Sequence, residues 1–87
     1  MENIKVLEQV DILRALNHKV RRTLVQLLDE QDILSYSDIL AQVSVDTVTL
    51  DNHLTILENA NLVFKLSPTI KYTLNRVMIA ELNLLIE

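Results

Sequence analysis

Residues 46–74 read DTVTLDNHLTILENANLVFKLSPTIKYTL, and the hydrophobic period changes within them. Up to Asn59 the apolar residues Leu50, Leu54 and Leu57 recur at i, i+4 and i+7, which predicts a helix over about residues 47–59. Asp46 is its expected N-cap, an anion where the helix dipole favours one. Asn61 stands where a left-handed C-terminal residue is required, and Asn is the best substitute for Gly there. Beyond it the period becomes two. Residues 62–66 and 70–74 read as strands joined by Ser67-Pro68-Thr69. A three-residue loop sets Leu66 opposite Ile70 and Phe64 opposite Tyr72. Leu62, Phe64, Leu66, Ile70, Tyr72 and Leu74 then share the inner face, and Lys65 faces Lys71 on the outer one.

Upstream, a first helix is expected over about residues 2–16, with Val6, Val10, Leu13 and Leu16 as its stripe and Ile4 and Ile12 outside it. Asn17 reads as the cap of a second helix over about residues 18–30, buried through Val20, Leu24, Leu27 and Leu28. A short third helix, about residues 36–43, opens with Ser35 and Asp38 at capping-box spacing. Downstream, a final helix from about Arg76 is apolar on two sides. Met78, Ile79, Leu82, Leu85 and Ile86 form one face, and Val77 and Leu84 a second. So small a domain cannot bury both, which points to a subunit interface including Val6, Val10, Val77, Met78, Leu82, Leu84 and Leu85.

The resulting order is α-α-α-α-β-β-α: a mainly α chain with a small β-hairpin, five helices, in a single winged helix-turn-helix domain over residues 1–87. Eighty-seven residues leave no room for a second core. With only three aromatic residues, the core must be built from Leu, Ile and Val. There is no cysteine, hence no disulfide, thiolate metal site or cysteine nucleophile. No signal-peptide pattern or membrane-length apolar run appears, so a cytoplasmic protein is expected.

Residues 13–74 resemble the ArsR-type winged helix-turn-helix family. Residues 13–24, LRALNHKVRRTL, are similar to its LxALxxPxRRxIL opening. Residues 35–40, SYSDIL, are similar to its LSxxELA segment. Residues 51–63, DNHLTILENANLV, are similar to its SRHLxxLxxAGLV segment, and the hairpin ending Tyr72-Thr73-Leu74 to its wing. The resemblance implies a transcriptional repressor that binds double-stranded operator DNA as a homodimer, with the fourth helix in the major groove. Where the family usually carries Arg, this chain has Asn52.

A helical wheel turns Val48, Thr49, Asn52, Thr55 and Asn59 outward. Asn52 suits the N6/N7 edge of adenine and Val48 a thymine methyl, while Thr47 and Thr49 suit phosphate oxygens. Lys65 and Lys71 are expected to contact phosphate at the wing, with Tyr36 and Ser37 as further phosphate candidates. Arg21 and Arg22 are expected mainly in ion pairs with Asp29 or Asp32, and His53 in packing. Only two histidines are present and none lies in the last helix, so no metal site or cofactor is expected. No nucleophile–base pair, phosphate-binding Gly loop or carboxylate pair suggests an enzyme.

A second reading stays open. The formal net charge is −4, and no Lys or Arg occurs between Arg22 and Lys65, an interval holding Asp29, Glu30, Asp32, Asp38, Asp46, Asp51 and Glu58. Phosphate neutralisation supplies most non-specific DNA affinity. A winged-helix protein-interaction module without DNA binding fits that charge pattern.

Overall fold

The computed structural model describes residues 10–80. They form five helices and a three-stranded antiparallel sheet, so the chain is mainly helical. Helix α1 covers residues 10–16 of the described region, α2 Lys19–Gln31, α3 Tyr36–Gln42, α4 Thr47–Asn59, and α5 residues 76–80. The strands are β1 (Ile33–Ser35), β2 (Val63–Leu66) and β3 (Lys71–Leu74), in spatial order β1-β3-β2. Among the described residues no helix is long and apolar enough to cross a membrane.

Strand β1 adds an element to the expected order. Asp32 ends α2 at φ 65° and turns the chain into Ile33-Leu34-Ser35, which pairs with β3. Thr73 Oγ1 donates to the Asp32 carbonyl at 3.0 Å, fastening that turn to the hairpin. Three residues are too few to display an alternation, which is why no strand is visible there in the sequence.

The helix caps show how a chain without glycine is punctuated. Asp46 accepts from the Thr49 amide at 2.7 Å and Ser35 Oγ from the Asp38 amide at 3.1 Å, as their spacing predicts. For α2 the cap is His18, whose Nδ1 accepts from the Val20 amide at 3.2 Å, rather than Asn17. At the end of α4, Asn61 takes φ 60°. Its amide donates to the Glu58 carbonyl at 2.9 Å, and the Leu62 amide to Leu57 at 3.0 Å. These bonds make a Schellman turn, with Leu57 and Leu62, both fully buried, as its hydrophobic contact.

That turn explains a correction in the hairpin. Leu62 is buried as a capping residue, not as a strand residue, so the inward phase of β2 begins at Val63. Val63 pairs with Leu74, Phe64 with Thr73, Lys65 with Tyr72 and Leu66 with Lys71, across a four-residue turn at 67–70. The register is one residue away from the expected one, so every β2 side chain lies on the other face. Val63 is 2% exposed and Phe64 48%. Lys65 and Lys71 therefore occupy opposite faces instead of confronting each other.

The core gathers Leu24 and Leu28 of α2, Leu34 of β1, Ile39 of α3, Leu50, Leu54 and Leu57 of α4, and Val63, Tyr72 and Leu74 of the hairpin. In α1 the buried residues are Ile12 and Ala15, while Val10 and Leu13 are exposed, so the expected stripe is rotated outward. The α1 face toward the core is narrow because Ala15 contributes little apolar surface. Asn75 joins hairpin and α5. Its Nδ2 donates to the Asn61 carbonyl at 2.9 Å, and its Oδ1 accepts from the Met78 amide at 3.3 Å.

Replacing Asn61 tests the turn. Asn61→Ala should lower unfolding stability by about 1 kcal/mol, because Ala meets the left-handed steric cost without Asn's local hydrogen bonding, whereas Asn61→Gly should not. Equal losses for the two in a denaturant titration would contradict this account.

Candidate nucleic-acid interface

Helix α4 is held from beneath by Leu50, His53, Leu54 and Leu57, all buried. That fixes its rotation and turns Val48, Asn52, Thr55 and Asn59 to solvent; Thr49 is half-buried. The Asn52, Thr55 and Asn59 side chains make no hydrogen bonds among the described residues. Thr47 is exposed at the first turn, and its carbonyl accepts from the Tyr36 hydroxyl at 3.4 Å. This bond joins the start of α3 to the start of α4. Ser37 is exposed beside it. Tyr36, Ser37, Thr47, Val48 and Thr49 thus cluster around the N-terminal ends of two helices, with Asn52 one turn further along α4.

The wing lysines divide. Lys65 lies on the inner side of the hairpin, in a row with Leu34 and Tyr72, and lines a groove against α4. Lys71 lies on the outer side beside Ser35 and Leu66. The groove holds about 600 Å³ and its α4 wall is a stripe of Thr47, Asp51, Thr55 and Glu58. The sequence contains this stripe at i, i+4, i+8 and i+11, but it becomes a site only once the hairpin is known to lie alongside. The nearby Asp51 carboxylate, which favours the protonated phenol, pushes the Tyr36 hydroxyl pKa up to about 12. Burial raises that of Tyr72, and the Glu58 and Asp51 charges add to it.

Three of the basic side chains serve the fold. Arg21 donates through Nε to the Ala15 carbonyl and through Nη2 to Arg14 at 3.3 Å, and Arg22 donates to Leu16 at 2.8 Å. Both thus satisfy the orphan carbonyls at the end of α1. The expected partners of this pair, Asp29 and Asp32, go instead to Arg76, which bridges both, at 2.9 Å to Asp32. Arg76 also donates to the Asp29 carbonyl at 3.2 Å and so caps the last turn of α2. Arg14, Lys19, Lys65 and Lys71 are exposed.

Of the expected interface residues, Val10 is exposed and Val77 is 72% exposed, while Met78 packs against the core. Leu13, 55% exposed beside Val10, joins the outward apolar surface. Val6, Leu82, Leu84 and Leu85 lie outside the described residues. Among the described residues no group of three or more potential ligands could hold a metal ion. The sequence matches no model of a known protein family, and no curated protein matches it.

His53 is 8% exposed and joins α4 to the start of α2. Its ring lies 4.4 Å from that of His18, and its Nδ1 is 3.2 Å from Arg21 Nη1. Arg21 can only donate, so Nδ1 accepts and the ring is neutral. Burial, then the charges of His18 and Arg21, hold its pKa below the ordinary 6.5. The unfolded chain therefore binds this proton first as pH falls. Stability is full above about 6.5 and declines as pH drops toward the folded-state value. Thermal melts should show this decline as pH falls below about 6.5, and His53→Gln, which keeps an acceptor that does not titrate, should flatten it. An unchanged slope in the variant would show that other groups carry the dependence.

Proposed function

We propose that this chain is a winged helix-turn-helix DNA-binding regulator of the ArsR-like kind. In this reading α3 and α4 are the helix-turn-helix, the β2–β3 hairpin is the wing, and α4 enters the major groove. The observation that carries it is the solvated face of α4. Val48, Asn52 and Asn59 are exposed, and the helix is fixed by its opposite face, so these side chains are presented without competing contacts. Asn52 would read adenine, Val48 a thymine methyl, and Tyr36, Ser37, Thr47 and Thr49 would position phosphates at the two helix N-termini. Lys71 and Lys65 would supply the wing's charge. The protein would act in the cytoplasm without a cofactor, as a homodimer. Exposed Val10, Leu13 and Val77 support that assembly, because a symmetric pair would cover apolar surface the domain leaves open.

A duplex-library titration at several salt concentrations tests the DNA reading. A selected site should bind with a negative salt slope, and Lys71→Ala should reduce that slope by about one, given roughly 0.9 per phosphate contact, with a smaller change for Lys65→Ala inside the acidic groove. Asn52→Ala should cost about 1–3 kcal/mol at one base position only. Absence of binding at low salt would end this reading. In sedimentation, Leu13→Glu combined with Val77→Glu should give a folded monomer; a surviving dimer would place the interface elsewhere.

The acidic wall of the groove favours a second reading, a protein-interaction module. Asp51 and Glu58 face the space between α4 and the hairpin, where a phosphate backbone would be repelled.

A further inference from the structure

The groove between α4 and the hairpin has an excess of negative charge. Asp51 and Glu58 stand on one wall and Lys65 on the other. Neither carboxylate forms a salt bridge among the described residues, where the ion pairs are those of Arg76. A second observation is independent of charge. Tyr72 lines the same groove, is 4% exposed, and its hydroxyl makes no hydrogen bond among the described residues. No buried side-chain nitrogen or oxygen among the described residues lacks a partner, so this phenol oxygen opens into the groove, where its lone pairs are free for an N–H donor.

We propose that this groove docks a basic peptide segment of a partner protein, with one cationic side chain at Asp51 and another at Glu58. The inference rests on the protein-docking reading and names its partner's chemistry. Seven residues of helix separate the two carboxylates by about 10.5 Å along its axis. Alternate residues of an extended strand lie about 6.6 Å apart on one face. The flexible stems of Arg or Lys cover the remaining span. The Tyr72 hydroxyl accepts from one of the two cations, and the exposed side chain of Ile70 at the rim offers apolar contact to the stems. Phosphate is excluded by the same carboxylates, so the groove discriminates a basic peptide from a nucleic-acid backbone.

The test is an NMR titration of the full chain at low ionic strength. The probes are acetyl-Arg-Ser-Arg-Ser-amide, its Arg-to-Ser and Arg-to-Glu counterparts, spermidine, and a DNA duplex. The Arg peptide should saturate and move the resonances of Thr55, Glu58, Lys65 and Tyr72 as one set. Asp51→Asn combined with Glu58→Gln should weaken it at least about tenfold, through loss of two charge-assisted contacts. Tyr72→Phe, which keeps the buried ring, should weaken it less. Unchanged resonances elsewhere confirm that each variant is folded. Shifts that scatter over the surface or survive the double substitution would overturn the proposal. Equal binding of spermidine would overturn the peptide as occupant. Binding of the Ser or Glu peptide at the groove would overturn the cationic class while leaving protein docking intact. Groove shifts with the duplex and none with any peptide would overturn the docking reading itself.

Discussion

The turn that leaves α4 governs what the surface of this domain can do. Asn61 adopts a left-handed conformation, Leu62 folds back onto Leu57, and the two orphan carbonyls at Leu57 and Glu58 are satisfied. Because Leu62 is spent on the cap, strand β2 begins its inward phase at Val63. Lys65 and Tyr72 then face α4, and Phe64 and Leu66 face away. A one-residue difference in the hairpin would exchange these sets completely. The groove, its tyrosine and its lysine are thus consequences of a helix cap rather than of the hairpin loop.

The lack of glycine has a second consequence, in where positive charge is used. The α1–α2 junction is only two residues long. Two arginines from the first turn of α2 reach back to the carbonyls of Arg14, Ala15 and Leu16. Arg76 likewise serves the end of α2. Guanidinium groups suit this role because several donors diverge from one rigid plane. Three of the chain's eight basic side chains are therefore committed to closing helices, and the helical region between Arg22 and Lys65 receives none in return.

Much of the scaffold is legible in the sequence, and the reason is local chemistry. Asp46, Ser35 and Asn61 announce their caps because each acts on amides or torsions within a few residues. The inward leucines of α4 are read from a single period. What is not legible depends on contacts distant in sequence. Strand β1 exists because β3 is available to pair with it. The face chosen by α1 depends on Ala15, whose small side chain carries little weight in a hydrophobic pattern. The partners of Asp29 and Asp32 come from α5, more than forty residues away. At the candidate site, the solvated α4 residues follow from the wheel. The groove does not, because Asp51 and Glu58 acquire a common role only through the hairpin's packing.

The two sides of α4 therefore present opposite chemistry at close range. Its outward face offers amide and hydroxyl groups and a valine, a neutral surface suited to base edges or to a protein. Its hairpin side offers two carboxylates, which raise the free energy of any nearby phosphate. Across open solvent such repulsion weakens over about 8–10 Å at physiological salt, so it need not block contacts on the far face. Inside a groove with low-dielectric walls it weakens less. The same carboxylates thus impose a direction of approach. A nucleic acid would have to meet the domain from the Val48 and Asn52 side, with the outer lysine of the hairpin, while the groove stays open to a cation.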